Sequence, residues 1–344
     1  MGFYQPFTLI KDAQRHGLKI LAIDITRSDW LCTIEREEEG RWRDGETAKH
    51  EHTEPYVDCQ MASGLFPVSP RLSVSPSSPP LVLRLGLRYV KGLSEQSGQA
   101  IVRERATGPF AGIDDLRNRV PELRKDELRK LAAVGALNFI QASQSSTPKV
   151  QTLMPNQKEL NAEPSVLETK GTNRRDALWQ VERVARSAGS LYEGLLEEDG
   201  NSPLLPMTLP ERMDADFRGT GLTIGKHPVA YHRAELTKLG ALRALDVGKL
   251  RNGSLVRIAG WVIVRQRPGT AKGFVFLTLE DETGVSNVII TPQIFDQNRL
   301  VLVDHPFLLI EGTLQNQDNV VSVKAKYVQP LSFKVAAAPS HDFH

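Results

Sequence analysis

The sequence predicts an α+β chain of several units: a small α/β piece, a helical module with tight turns, and a five-stranded β-barrel near the end. Three observations carry this. Five apolar segments between 254 and 331 are short, rich in Val and Ile, and bounded by Gly, Pro, Asp or Asn, which is the pattern of strands. Residues 81–140 place apolar side chains at helical spacing and interrupt them with glycine turns. Two polar stretches, about 46–80 and 141–172, hold no period of 2 or 3.6 and separate the units.

Composition sets the outer limits. With 344 residues the chain is long enough for two or three domains. Its 43 Lys+Arg against 41 Asp+Glu leave almost no net charge, so any nucleic-acid surface must come from local clustering. Cys32 and Cys59 lack ligand-type spacing, which predicts two free thiols in a reducing compartment rather than a disulfide framework or zinc knuckle. No apolar run approaches the roughly 20 residues of a membrane helix, and the start "MGFYQPFTLIKDAQRHG" lacks a secretory pattern. The expectation is a soluble cytoplasmic protein with no membrane partner.

Taken in order, residues 6–17 predict a helix with Pro6 in its first turn and Gly17 as its stop. "LKILAIDI" then predicts a strand. In the 81–140 block, "YVKGLSEQSGQAIVRER" predicts a glycine hairpin leading into a helix that begins near Ser94, and "LRKDELRKLAAVGALNF" predicts a weaker second copy. "RRDALWQVERVA" predicts a helix with Leu178, Val181 and Val184 on related faces, and residues 219–250 predict one or two short helices. The barrel strands are "SLVRIAGWVIV", "GFVFLTLED", "VSNVIIT", "PFLLIEGTLQ" and "NVVSVKAKYVQ", with the helix "PQIFDQNRL" between the third and fourth. Five strands with a helix in that place is the order of an OB-fold.

Two candidate nucleic-acid sites follow. In an OB-fold the first loop and the face of strands 2 and 3 bind oligonucleotides. Here that loop holds Arg265, Arg267 and Lys272 as phosphate-tracking charges, with Gly269 and Gly273 letting the backbone approach a strand. Trp261, Phe274 and Phe276 are candidates for base stacking, but strand alternation puts some of them inside the barrel, and in a barrel this small buried aromatics outnumber stacking platforms, so each reads first as core. The three cations read alternatively as a solvated loop. The second site is the hairpin of Lys91, Gly92 and Ser94, where amides at a helix start suit a phosphate.

Several chemical patterns do not hold up. "DADF" at 214–217 has the carboxylate spacing of a nucleotidyl transferase but no apolar strand to carry it, "HEH" at 50–52 lacks further ligands, and "GTGLTIGK" lacks P-loop spacing. No nucleophile has a base partner. No catalytic residue, metal ligand or cofactor is therefore assigned.

The segments "GFYQPFTLIKDAQRHGLKILAIDITRSDWLCTIE", "LRLGLRYVKGLSEQSGQAIVRER", "RRDALWQVER", "GLTIGKHPVAYHRAEL" and "VRIAGWVIVRQRPGTAKGFVFLTLEDETGVSNVII" resemble the C-terminal part of bacterial C-family DNA polymerases, in the error-prone, translesion, alpha-subunit-like branch. The resemblance runs in order along most of the chain. It implies a fingers-domain remnant over 1–45, a Pro/Ser-rich insertion over 46–80, a tandem helix-hairpin-helix module over 81–140 and connector helices over 141–250. An OB domain over 251–333 and a tail over 334–344 complete it. Ser94 stands where the family has a second hairpin glycine, so a side chain crowds the closest phosphate approach.

The resemblance also implies partners: primer-template duplex and single-stranded template DNA, accessory mutagenesis proteins, the sliding clamp and a separate catalytic half. The family's PHP domain and its palm, whose aspartates hold magnesium for phosphoryl transfer, have no counterpart in these residues. The expectation is a DNA-binding piece that does not polymerise DNA alone. A stand-alone OB protein that binds single-stranded DNA or tRNA, or a non-functional remnant, stays open beside it.

Overall fold

The computed structural model of the protein describes residues 5–36, 80–140, 173–184, 202–317, 320–333 and 341–343. Nearly all of the expected 46–80 insertion, the 141–172 stretch, "HEH" and Cys59 lie outside the described residues.

Helix α1 spans Pro6–Arg15, with Pro6 at its start and Gly17 at φ 85° just past its end. Proline tolerates the first turn because it lacks only an N–H that has no helical partner there, and glycine accepts the left-handed exit. The expected strand at 18–25 is shorter than predicted, β1 covering Lys19–Leu21. It joins β2 (Thr33–Arg36) and β3 (Leu81–Arg84) in a three-stranded sheet of order β1-β3-β2. The start of the 81–140 block is therefore a strand, and the small α/β unit reaches across the expected boundary at residue 81. Arg84, almost fully buried, forks onto both carboxylate oxygens of Glu35 at 2.5 and 3.1 Å, tying β3 to β2.

The helical module follows as α2 (Glu95–Ala106), α3 (Ile113–Arg119) and α4 (Lys125–Ala133). Its two hairpins are built alike. Leu93 N–H donates to the Val90 carbonyl before α2, and Leu123 N–H donates to the Val120 carbonyl before α4, both at 3.1 Å. The second hairpin turn is thus at Val120–Arg124. The expected "VGAL" turn instead closes α4, with Gly135 at φ 82°. Helix α5 (Arg174–Val184) packs on α4 and buries Ala177 and Val181. Next come α6 (Leu209–Thr220), α7 (Arg233–Lys238), the short strand β4 (Ala241–Leu242) and α8 (Ala244–Val247).

The barrel consists of β5 (Leu255–Gln266), β6 (Val275–Glu280), β7 (Val285–Ile290), β8 (Phe307–Gln317) and β9 (Val320–Pro330). It closes in the order β5-β6-β7-β9-β8, with β8 returning to β5 and a parallel β7–β9 pair. The expected single helix between the third and fourth strands is two short ones, α9 (Pro292–Gln297) and α10 (Arg299–Asp304). A last strand, β10 (His341–Phe343), lies parallel to β5.

Alternate residues of β5 and β8 enter different cores. Ile258, Val262, Leu308 and Ile310 fill the barrel interior with Val275, Leu277 and Val288. Ala259, Trp261, Phe307 and Leu309 point the other way, into the core shared with α1, α6 and the helical module. Both strands are buried on both faces, which is why they read as continuous apolar runs and not as alternation. Among the described residues no helix is long and apolar enough to cross a membrane.

Candidate nucleic-acid interface

The first hairpin is braced from two sides. Lys91 N–H donates to the Gly219 carbonyl at 2.7 Å and its ammonium to the Phe217 carbonyl at 3.2 Å, so Lys91 caps the C-terminal turn of α6. Gly92 takes φ 76°, and its carbonyl accepts from the Lys130 ammonium at 3.1 Å. Ser94 is the N-cap of α2: its hydroxyl accepts from Ser97 N–H at 3.1 Å.

The Ser94 N–H itself donates to the Glu127 carboxylate at 2.8 Å. Glu127, fully buried, also accepts from the Ser97 hydroxyl at 2.9 Å and from Arg124 N–H at 3.0 Å. One carboxylate therefore locks the start of α2 to the start of α4. Burial works against its charge, but the Arg124 and Ser94 amides and the Ser97 hydroxyl outweigh it and hold the carboxyl below the ordinary glutamate range. Sequence reasoning missed Glu127; its place three residues after the Arg124 N-cap, in the manner of a capping box, was the available signal.

In the barrel, the three basic residues of the first loop are placed differently. Arg265 turns inward at the end of β5 and donates to the carbonyls of Leu302 at 2.7 Å and His305 at 2.8 Å. It clasps the C-terminal end of α10, whose last carbonyls have no helical partner. Arg267 is exposed and lies 4.6 Å over the ring of Phe295. Lys272 is exposed at the loop tip, with φ 50° followed by Gly273 at φ 85°. A side chain at Gly273 would also press on Pro292, 3.3 Å away. Gly269 opens a 3-10 turn with open space around it.

The aromatic candidates divide as well. Trp261 is only 2% exposed and sits among Phe7, Phe217 and Phe307 at centroid distances of 4.9, 5.2 and 5.3 Å. It is a core residue and not a stacking platform, because α1 and α6 cover the outer face of β5. Phe274 is half-buried. Phe276 is 38% exposed on the outer face of β6. Register places Gln266, Phe276, Ile289 and Lys324 in one row across β5, β6, β7 and β9, with Thr278, Asn287 and Ser322 in the next. Lys324 and Asn287 were not singled out in the sequence, although alternation along "VSVKAKYVQ" and "VSNVII" puts them on this face.

The same outer face of β6 is covered at its other end. Glu280 is buried there and accepts from Arg15 of α1 at 2.8 Å. Lys11, also buried, donates to the Gly225 carbonyl and the Gln14 side chain, and burial pulls its ammonium down to about 8 despite Glu280 nearby. Among the described residues, the Phe276 end of this face is left open.

The "DADF" aspartates lie on α6. Asp214 pairs with Arg218 at 2.9 Å, while Asp216 is held by Arg174 at 2.7 Å and the Thr223 hydroxyl at 2.9 Å. Two aspartates two positions apart on a helix face different ways, and among the described residues no three acidic, His or Cys groups converge on a metal position. The magnesium that the resemblance implies for the parent polymerases does not fit the residues described.

Comparison with known proteins agrees with this geometry. A family model for the helix-hairpin-helix motif matches residues 17–147, and one for an OB-fold nucleic acid binding domain matches 256–331. The chain is thus of the class that joins a helix-hairpin-helix unit to an OB-fold. Along its whole length it is similar to proteins named error-prone DNA polymerase. The protein of that name from Anaeromyxobacter sp. (strain K) is 33% identical over 346 aligned residues covering 100% of this chain, and that from Burkholderia pseudomallei is 33% identical over 100%. The chain spans about a quarter of the length of these relatives, 25% and 26%. Among solved structures, asparaginyl-tRNA synthetase from Pyrococcus horikoshii is similar over 29% of this chain and 24% of its own, at 21% identity and a TM-score of 0.23. An OBody bound to hen egg-white lysozyme is similar over 27% of this chain and 93% of its own, at 14% identity and a TM-score of 0.23.

Proposed function

We propose that the chain is the DNA-binding portion of an error-prone DNA polymerase that serves translesion synthesis in cytoplasmic DNA repair. The observation that carries the reading is an open barrel face, with Phe276, Asn287 and Lys324 exposed together beside a loop that presents Arg267 and Lys272. An aromatic ring flanked by cations and amide groups suits a single strand, whose bases stack while its phosphates follow the charges. The hairpins of the helical module supply a second contact, to the duplex, with Lys91, Gly92 and Ser94 at its edge. Template-directed nucleotide addition belongs in this reading to the catalytic half, with its magnesium, and the accessory mutagenesis proteins and sliding clamp are its further partners.

A salt titration of the full chain against primer-template and matched single-stranded DNA tests this. Wild type is expected to bind both, and Arg267→Ala/Lys272→Ala to bind single strands more weakly, with a salt slope shallower by up to about 0.7 per lost phosphate contact. Absence of salt-dependent binding to either DNA overturns the reading. Equal or tighter binding to a tRNA competitor favours the alternative of an RNA-binding OB protein.

A further inference from the structure

Beside the first hairpin lies an open cleft of about 500 Å³ between residues 30–31 and residues 88–95. Its lining combines an indole, Trp30, with two cations, Arg88 and Lys91, and the apolar Leu31, which is 55% exposed. Arg88 is exposed, and no carboxylate among the described residues pairs with it.

The wall that carries the indole is fixed. Leu87 N–H donates to the Asp29 carbonyl at 2.9 Å and Arg88 N–H to the Trp30 carbonyl at 3.1 Å. Gly86 has no room for a Cβ, which would meet the backbone of Trp30 and Leu31. Gly98 sits inside α2, where glycine weakens a helix relative to alanine. Its use there is steric: a Cβ would lie 2.5 Å from the indole Cε3. Two glycines and two backbone hydrogen bonds therefore hold Trp30 at the edge of a cleft that nothing in the described chain fills.

We propose that this cleft binds a nucleotide, with one base stacked on Trp30 and its phosphate held by Arg88 and Lys91. Stacking on an aromatic face with a cation on the adjoining phosphate is the general mode for unpaired nucleotides. An indole alone would suit any flat apolar ligand, and two cations alone any anion; together they select a base with a phosphate attached. The Phe217 carbonyl takes one donor of Lys91 at 3.2 Å, and the ammonium has two more. The start of α2 has no part in this, since Glu127 already accepts the Ser94 N–H and Glu95 lies in the first helical turn. Glu95, also in the lining, can accept from the exocyclic amine of a base.

This site deepens the DNA-binding reading and rests on it for one of two sources, an unpaired nucleotide of a bound strand or a free nucleotide. The test uses the full chain and 2-aminopurine fluorescence in three arms. The probe is placed in the single-stranded overhang of a primer-template, in a blunt duplex, and in the free deoxynucleoside monophosphate. The expected result is quenching of the overhang probe, lost in Trp30→Leu and reduced in Arg88→Ala, with overhang binding weakened about tenfold in Trp30→Leu and blunt-duplex binding unchanged. Trp30 packs on Gly98, so Trp30→Leu risks the fold; Arg88→Ala, at an exposed side chain, gives an independent reading.

Quenching of the free monophosphate alone, abolished in Arg88→Ala, supports the cleft with a free nucleotide as its ligand, whether or not DNA binds. Salt-dependent DNA binding with no quenching in any arm overturns the cleft and leaves the DNA-binding reading standing. No binding of any DNA and no quenching by the monophosphate overturns both.

Discussion

Glu127 shows how a single side chain decides the geometry of a module. Its two oxygens accept from the N–H groups of Ser94 and Arg124 and from the Ser97 hydroxyl, so removing its charge strips both hairpins of a shared acceptor. Glu127→Gln keeps the shape but presents an N–H toward donors, and is expected to cost about 1–3 kcal/mol in a denaturant titration at neutral pH. The folded-state carboxyl lies below its ordinary range. Its contribution is therefore complete above the unfolded glutamate range and lost as pH falls through the lowered folded value. The gap between wild type and Glu127→Gln should close over that acid window; a gap that stays constant with pH would remove Glu127 from the role. Ser94 in the place of a glycine fits the same site, because its hydroxyl caps α2 while its amide meets Glu127.

Among the elements, the first barrel loop separates folding from binding. Arg265 holds the end of α10 through two carbonyls, whereas the exposed Arg267 and Lys272 lie where solvent or a ligand reaches them. Arg265→Ala is expected to lower stability by about 1–3 kcal/mol through the unsatisfied carbonyls, while Lys272→Ala changes stability by less than about 0.5 kcal/mol. Chemical denaturation of the two variants side by side checks this, and equal stabilities would mean that Arg265 is no clasp. The three cations look equivalent in sequence, since spacing in a loop does not say which side chain meets a helix end. Helix α6 carries its start signals in the sequence, a Thr208 N-cap, Pro210 in the first turn and Glu211 closing the capping box. The acidic "DADF" lies inside this helix, so its carboxylates belong to helix packing and ion pairs. Strand β3 is too short, at four residues, to show a period in the sequence, and its partners β1 and β2 define it.

At the scale of the whole molecule, the barrel is a wall of a larger core. Trp261, Phe307, Ala259 and Leu309 leave the barrel interior and pack with Phe7 of α1 and Phe217 of α6. Trp261→Ala is expected to cost about 3–5 kcal/mol and to loosen the barrel from the preceding units. Limited proteolysis should then cleave between α6 and β5 before the barrel itself is digested; a cleavage pattern identical to wild type would mean that the outer core does not hold the units together. The sequence by itself determined the barrel strands, their order and the first hairpin, because runs of apolar residues and turn-forming glycines act locally and register in periodicity. Only the tertiary structure decided that β5 is buried on both faces, that Trp261 is core and Phe276 exposed, and that the sheet draws residues 81–84 back to residue 19. Those outcomes depend on contacts between segments far apart in the chain, and burial at one residue is set by what the rest of the molecule lays over it.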